Sequence, residues 1–407
     1  MSELLIPTKK NGLDFLLNPD NGKWIISNNI EKNKSKLNGD FQFKGLKGTQ
    51  LILFNLGRGC NLNCKYCFLG DKRNEKTSMS FETAKKALHR VSDIKDGVKR
   101  VVFHGSEPLL NYQLIKDVVN YGNKIDKEIK FSIQTNGTLL NSVIIDFLVD
   151  NNVYIGVSLD GLKENHNKTR PFKNGKGSYE KVISNLKEVL KKQGRASIIT
   201  VVTKYNVNDL ENIVNLGKEI GIQEIAFNPV LSNDVTIIPS ENDLTKNFIK
   251  TTENYFTDLI NNVKTPRLDH PKRYLSMILH NKNYTNSCLV CSAGPTNPLI
   301  AVDVDGTLYP CDHFWGEKTF AIQTIENITI DLACSSNRNF RNNIEFGNIQ
   351  ECSNCEWKRI CSGGCPGGRI ISNKAQYCKT TKEMLTFFVK QIPLLMENGL
   401  LEKILTE

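Results

Sequence analysis

A chain of 407 residues, with 39% hydrophobic and 24% charged side chains, is long enough to bury a sizeable core in about two or three domains. The formal charge is +10, yet the lysines scatter rather than form a stripe, so a solvated surface is expected and no nucleic-acid partner. No stretch reaches the length of a membrane span, and the start, MSELLIPTKKNGLDFLL, has no apolar signal core or small-residue cleavage site. A cytoplasmic chain without membrane contact is therefore expected.

In chain order, residues 1–48 read as a short β appendage, with Asn21-Gly22 as a hairpin turn before alternating apolar residues. From 49 to 240, apolar runs alternate with helical patterns, as in repeated β/α units. LILFN (51–55), VVFHG (101–105), FSIQTNG (131–137), VYIGVSLDG (153–161), ASIITVVT (196–203) and EIAFNPV (224–230) predict buried parallel strands. SFETAKKALHRVSDI predicts a helix capped by Ser80, with Phe81, Ala84, Leu88 and Val91 on one apolar face. Six such units predict an α/β fold, a partial (β/α)6 barrel, with its chemistry on the loops after the strands' C-terminal ends. Residues 241–285 read as a helical linker, and 286–380 as a cysteine-rich, glycine-rich module held by metal more than by a core. Residues 381–407 read as an amphipathic helical end packed on the barrel.

The twelve cysteines are unevenly placed: three at Cys60, Cys64 and Cys67, then none until nine between Cys288 and Cys378. Without a secretory signal, metal ligation is favoured over disulfides. GRGCNLNCKYCFLG sets Cys60, Cys64 and Cys67 in a C-x3-C-x2-C loop after the first barrel strand. Three thiolates on a [4Fe–4S] cube leave one iron open for an exogenous ligand, whereas structural zinc calls for a fourth protein ligand.

This loop, with Tyr66 before its last cysteine, resembles the signature of the radical S-adenosylmethionine (SAM) superfamily. The resemblance implies that SAM chelates the open iron and is reductively cleaved to a 5′-deoxyadenosyl radical, which takes a hydrogen atom from substrate. FHGSEPLL resembles the family's G-G-E-P motif, with Gly105 and Glu107 retained and Ser106 in place of the second glycine. GVSLDGLKENHNKTRPF resembles a SAM-contacting strand and loop of one branch, which implies Ser158 at the ribose and Arg170 at the SAM carboxylate. Leu231, in FNPVLS, matches an adenine-side contact more loosely.

From Cys291 the spacing C-x14-G-x4-C reaches Cys311 through Gly306, followed by C-x2-C-x5-C-x3-C and Cys378. This is similar to the SPASM domain of peptide- and protein-modifying radical SAM enzymes, which implies two auxiliary [4Fe–4S] clusters and three in all. The resemblance assigns Cys291, Cys311 and Cys365 to the first auxiliary cluster, and Cys352, Cys355, Cys361 and Cys378 to the second. Cys288 is left over and can close the first cluster; if free, it leaves an iron open to a substrate thiolate. Cys334 fits no motif and reads as a structural thiol. Asp312, following Cys311, resembles the base of anaerobic sulfatase-maturating enzymes.

The leading functional expectation is a maturase acting on a ribosomal peptide, forming a thioether or C–C cross-link or an oxidised side chain. The alternative is conversion of a sulfatase cysteine or serine to formylglycine. Either needs a peptide or protein substrate and an electron donor such as flavodoxin or ferredoxin. A non-catalytic iron–sulfur carrier is disfavoured by the open-iron motif together with the SAM-pocket matches. The 48 residues before the first strand are shorter than the leader-binding domain many peptide maturases carry, so recognition is expected at the barrel mouth, the hairpin or a separate partner.

Overall fold

The computed structural model describes residues 4–7, 12–18, 23–33, 49–95, 98–279, 299–330, 333, 350–361, 363–372 and 375–406. At the start, β1 (Leu4–Pro7), β2 (Asp14–Leu17) and β3 (Trp24–Ser27) form an antiparallel sheet, with Phe15 stacked on Trp24 across the β2–β3 pair. The turn expected at Asn21-Gly22 lies outside the described residues.

Six strands then lie parallel and side by side in chain order: β4 (Thr49–Asn55), β5 (Val98–His104), β6 (Lys130–Thr135), β7 (Tyr154–Ser158), β8 (Ser197–Val202) and β9 (Glu224–Pro229). Each follows one of the apolar runs, and Ile52, Phe54, Phe103, Ile133, Val157 and Phe227 sit in one continuous core. Intervening helices cover the sheet. The first of them, Phe81–Ser92, is capped by Ser80, whose hydroxyl accepts from the Thr83 amide at 3.0 Å. It buries Ala84, Ala87, Leu88 and Val91.

The barrel stays open because each edge of this parallel set is taken by another strand. On one side β10 (Arg267–Leu268) pairs with β9 in parallel. On the other, β11 (Leu299–Val302) pairs with β4 in parallel and turns antiparallel into β12 (Thr307–Tyr309) and β13 (Gln323–Thr324). The segment expected to be a plain helical linker thus contributes a strand between helices Glu241–Ile260 and Asp269–Leu279. The module expected to be held by metal more than by a core contributes three strands to the barrel sheet.

This junction stands beside the cysteine loop. Asp303, at the β11–β12 turn, accepts from Asn55 Nδ2 at 2.7 Å and pairs with the Arg58 guanidinium at 2.5 Å. The C-terminal segment runs as helices Cys378–Glu397 and Leu400–Thr406 separated by Gly399 at φ +64°. Phe388 of the longer helix meets Phe256 and stacks on Tyr274, so the tail seals the flank made by the two linker helices. Among the described residues no helix is long and apolar enough to cross a membrane.

Candidate active site

The cysteine loop leaves β4 and crosses the mouth of the barrel to the segment after β7. The Asn63 amide donates to Pro171 O at 2.8 Å and the Lys65 amide to Thr169 O at 3.0 Å. Arg73 ties the loop from outside, donating to Cys64 O at 2.8 Å and Asn63 Oδ1 at 2.6 Å. Cys60, Cys64 and Cys67 are all half-buried and close enough to feel one another's charge. Burial pushes the Cys64 thiol up to about 12; Arg170 opposes that shift, while Cys60, Asp160 and Cys67 reinforce it. Thiolates become favourable there only when positive charge arrives, as it does with iron.

The spacing argues against a single zinc ion. Among the described residues these three thiols do not lie within 4.8 Å of one another. Tetrahedral zinc with bonds of about 2.3 Å would hold its sulfurs about 4 Å apart. Irons at separate corners of a cube spread their thiolates more widely. His89, the nearest histidine along the sequence, is engaged with the Tyr121 hydroxyl at 2.8 Å on the covering helices, and His104 and His313, which line the same cavity as the cysteines, are engaged with Asp312.

A cavity of about 450 Å³ opens beneath the loop. Its lining brings together Cys60, Cys64, Tyr66, Cys67, Gly105, Ser106, Ser158, Arg170 and Leu231 from the barrel, and Cys311, Asp312 and Cys365 from the C-terminal region. Gly105 sits at φ +110°, and a Cβ there would fall 2.7 Å from Asn55 Oδ1, so only glycine fits this close approach. The Ser106 hydroxyl is buried with no protein partner, which suits a polar ligand group. Ser158 accepts from Gln134 Nε2 at 3.1 Å.

Glu107 is placed differently from the other motif residues. Its buried carboxylate accepts from the Leu109 amide at 3.0 Å, Thr135 Oγ1 at 2.7 Å and the Asn136 amide at 2.8 Å, and it does not line the cavity. Its carboxylate clamps the end of β5 to the end of β6, with both oxygens engaged by the fold.

Sequence reasoning missed Asp160, the hub of the site. It is fully buried, accepts from the Tyr66 hydroxyl, from Thr169 Oγ1 at 2.9 Å and from the Val201 amide at 3.1 Å, and lies 3.0 Å from Arg170 Nε. Arg170 in turn reaches Cys64 Sγ with NH1 at 3.9 Å and lies 5.4 Å from the centre of the Tyr66 ring. One edge of the guanidinium is thus anchored by Asp160 while the group faces the cavity. Its signal was the aspartate two residues past the end of β7, ten residues before Arg170.

Behind this hub, His166 Nδ1 accepts from the Asp160 amide at 3.2 Å, leaving Nε2 to meet Ser178 Oγ at 3.0 Å. Burial holds the imidazole down to about 4, with Asp160 opposing and Arg170 assisting. An unfolded histidine near 6.5 takes up a proton between pH 6.5 and 4 that the folded one refuses. The stability His166 contributes is therefore full above pH 6.5 and falls by about 3 kcal/mol on acidification to pH 4. Urea titrations at several pH values should show this loss in the wild type and a shallower one in His166→Gln; parallel curves would contradict it.

In the C-terminal region, Asp312 Oδ2 lies 3.1 Å from His104 Nε2 and its Oδ1 lies 3.5 Å from His313 Nδ1. Burial alone would favour the neutral acid, but hydrogen bonds and charge from His104 and His313 outweigh it and hold the carboxyl well below the usual range. His104, the last residue of β5, was not foreseen. Cys352, Cys355, Cys361 and Cys378 gather at a second place, where burial, followed by Cys378, Cys355 and Cys352, pushes the Cys361 thiol up to about 12. No three of these four lie within 4.8 Å of one another either. Cys288, Cys291 and Cys334 lie outside the described residues.

A family profile described as the Radical SAM superfamily matches residues 54–217. An uncharacterized protein of Methanocaldococcus jannaschii is 33% identical over 204 residues, covering 49% of this chain and 70% of that protein. The chain belongs to the radical SAM superfamily. A cysteine-type anaerobic sulfatase-maturating enzyme of Clostridium novyi is 28% identical to this radical SAM chain over 376 residues, 85% of the chain and 96% of the relative. Among solved structures, native anSMEcpe with bound AdoMet superimposes with a TM-score of 0.71 at 27% identity, covering 86% of this chain and 98% of that one. The same protein with bound AdoMet and Cp18Cys peptide gives 0.69 at 25% identity, covering 88% and 99%. The superfamily's [4Fe–4S] cluster and SAM fit the donors present: three spaced thiols, an unpartnered serine hydroxyl, a glycine cradle and a buried arginine.

Proposed function

We propose that this radical SAM enzyme oxidises a side chain of a peptide or protein, with conversion of cysteine or serine to formylglycine as the reading best supported. The observation that carries it is one cavity lined at once by the cysteine loop, by Ser106 and Arg170, and by Asp312. Near full-length similarity to a cysteine-type sulfatase maturase, and to a structure holding both AdoMet and a peptide, supports it. This places first the activity that the sequence reading had ranked second.

When bound, the cluster and SAM supply a carbon radical that takes a hydrogen atom from substrate. Cys60, Cys64 and Cys67 would hold the cluster through three thiolates, leaving one iron for SAM. Gly105 and Ser106 would receive the amino end of SAM, Arg170 its carboxylate, Ser158 the ribose and Leu231 the adenine side. Tyr66, fixed by Asp160, sets the floor under the arginine. Asp312, in hydrogen-bond reach of His104 and on the cavity wall, would accept the proton released as the substrate radical gives up its second electron, for which the auxiliary clusters would be the acceptor. With a cysteine substrate, water would then displace the sulfur as hydrogen sulfide. Cys311 and Cys365, with Cys291, would hold one auxiliary cluster in a SPASM-type module, which Cys288 would close if it ligates; Cys352, Cys355, Cys361 and Cys378 would hold the other. The electrons come from a flavodoxin or ferredoxin.

Incubation of the reconstituted enzyme with SAM, dithionite and a sulfatase-type cysteine peptide should give an aldehyde that a hydrazine reagent traps for mass spectrometry. Asp312→Ala should lower aldehyde formation about a hundredfold or more while 5′-deoxyadenosine is still released. Equal aldehyde yields would remove Asp312 from its role. A cross-linking peptide maturase is the second reading, favoured by Cys311 and Cys365 opening on the same cavity, where an iron could take a substrate thiolate. It predicts a thioether or C–C bond in place of the aldehyde.

A further inference from the structure

Three separate segments of the chain bring lysines around one ring at the rim of the barrel mouth. The ammonium groups of Lys65, Lys168 and Lys204 lie 5.5, 4.3 and 5.4 Å from the centre of Tyr205. Lys65 belongs to the cysteine loop, between Cys64 and Tyr66; Lys168 is in helix Lys163–Thr169; Lys204 and Tyr205 follow β8. All three lysines are exposed, and none makes an ion pair among the described residues, although Asp234 is near enough to Lys204 to feel its charge. Like charges gathered on one ring repel, and the ring's negative face offsets only part of that. Such a patch is stabilised most by a negative partner.

The side of the loop on which the patch lies identifies that partner. Cys64 and Tyr66 line the cavity, whereas Lys65 between them does not, nor do Lys168, Lys204 or Tyr205. The cavity is on the inner side of the cysteine loop, and the lysines are on its outer side. An acidic substrate peptide would need its cations inside. We propose that this outer face is the docking surface of an acidic one-electron carrier protein, resting on the reading that Cys60, Cys64 and Cys67 hold a reducible cluster. Lysines steer the carrier's negative surface, and Tyr205 offers it an apolar contact within one residue's reach of a cluster ligand. One electron passes from the reduced carrier to the cluster, and the substrate side stays free.

The test compares two reductants on the reconstituted enzyme, reading 5′-deoxyadenosine release. With reduced flavodoxin and its reductase, Lys168→Glu/Lys204→Glu should raise the half-saturating flavodoxin concentration at least about tenfold and flatten its dependence on salt. With dithionite, a small reductant needing no docking, the rate should stay within about twofold, since neither lysine lines the cavity. If the dithionite rate also falls, the milder Lys168→Gln/Lys204→Gln pair decides, by the ratio of its flavodoxin to its dithionite rate. An unchanged flavodoxin requirement and salt dependence would overturn the proposal. No release from the wild type with either reductant would instead defeat the underlying reading of the cluster.

Discussion

Replacing Cys60, Cys64 and Cys67 together by alanine is expected to remove about four irons per chain and abolish SAM cleavage. The loss should be complete because the other thiols on the cavity wall, Cys311 and Cys365, belong to the C-terminal region and do not replace the three-cysteine loop after β4. The fold should survive, since the loop is pinned by backbone hydrogen bonds to residues 169 and 171 and by Arg73, none of which uses a thiol side chain. The four thiols around Cys361 are a separate group, so the iron they bind should remain. Iron analysis and chromatography of the reaction check both parts. Retained 5′-deoxyadenosine release by the triple variant would refute the assignment of the loop.

The largest single-residue effect on stability is expected at Asp160. Asp160→Ala would strand a buried guanidinium and leave the Tyr66 hydroxyl, Thr169 Oγ1 and the Val201 amide without their acceptor. Removing one partner of a buried ion pair costs about 3–5 kcal/mol, mostly from the charge left behind. Asp160→Asn keeps the volume and one acceptor oxygen, so it should lose less stability. Both variants should bind SAM more weakly, because Arg170 would no longer be held beside Cys64. Urea unfolding and titration calorimetry with SAM separate the two effects. A loss below about 1 kcal/mol in Asp160→Ala would show that Arg170 does not depend on this carboxylate.

The six barrel strands were legible because each carries a short, largely apolar stretch between helical patterns, with successive or alternate residues buried. The strands that extend the sheet were not. β10 has two residues, and β11 is the four-residue run LIAV, both too short to signal a period. Asp305-Gly306 is a turn-forming pair at the β11–β12 hairpin, but the strands on either side of it are too short to carry a pattern.

At the site, cysteine spacing was read directly from the chain, since ligands on one loop are neighbours in sequence. Asp160 and His104 were not, because their importance comes from partners such as Tyr66, 94 residues away, and Asp312, 208 residues away. Glu107, named by its motif, takes a place the motif does not specify: its carboxylate accepts three hydrogen bonds from the frame.

The account stands most directly on the fate of SAM in the anaerobic, iron-reconstituted enzyme given dithionite and a cysteine peptide deuterated at the β-carbon. The prediction is release of 5′-deoxyadenosine carrying deuterium from the peptide, which would show that the cavity under the cysteine loop brings SAM and a side chain together. Absence of 5′-deoxyadenosine from fully reconstituted protein would contradict it.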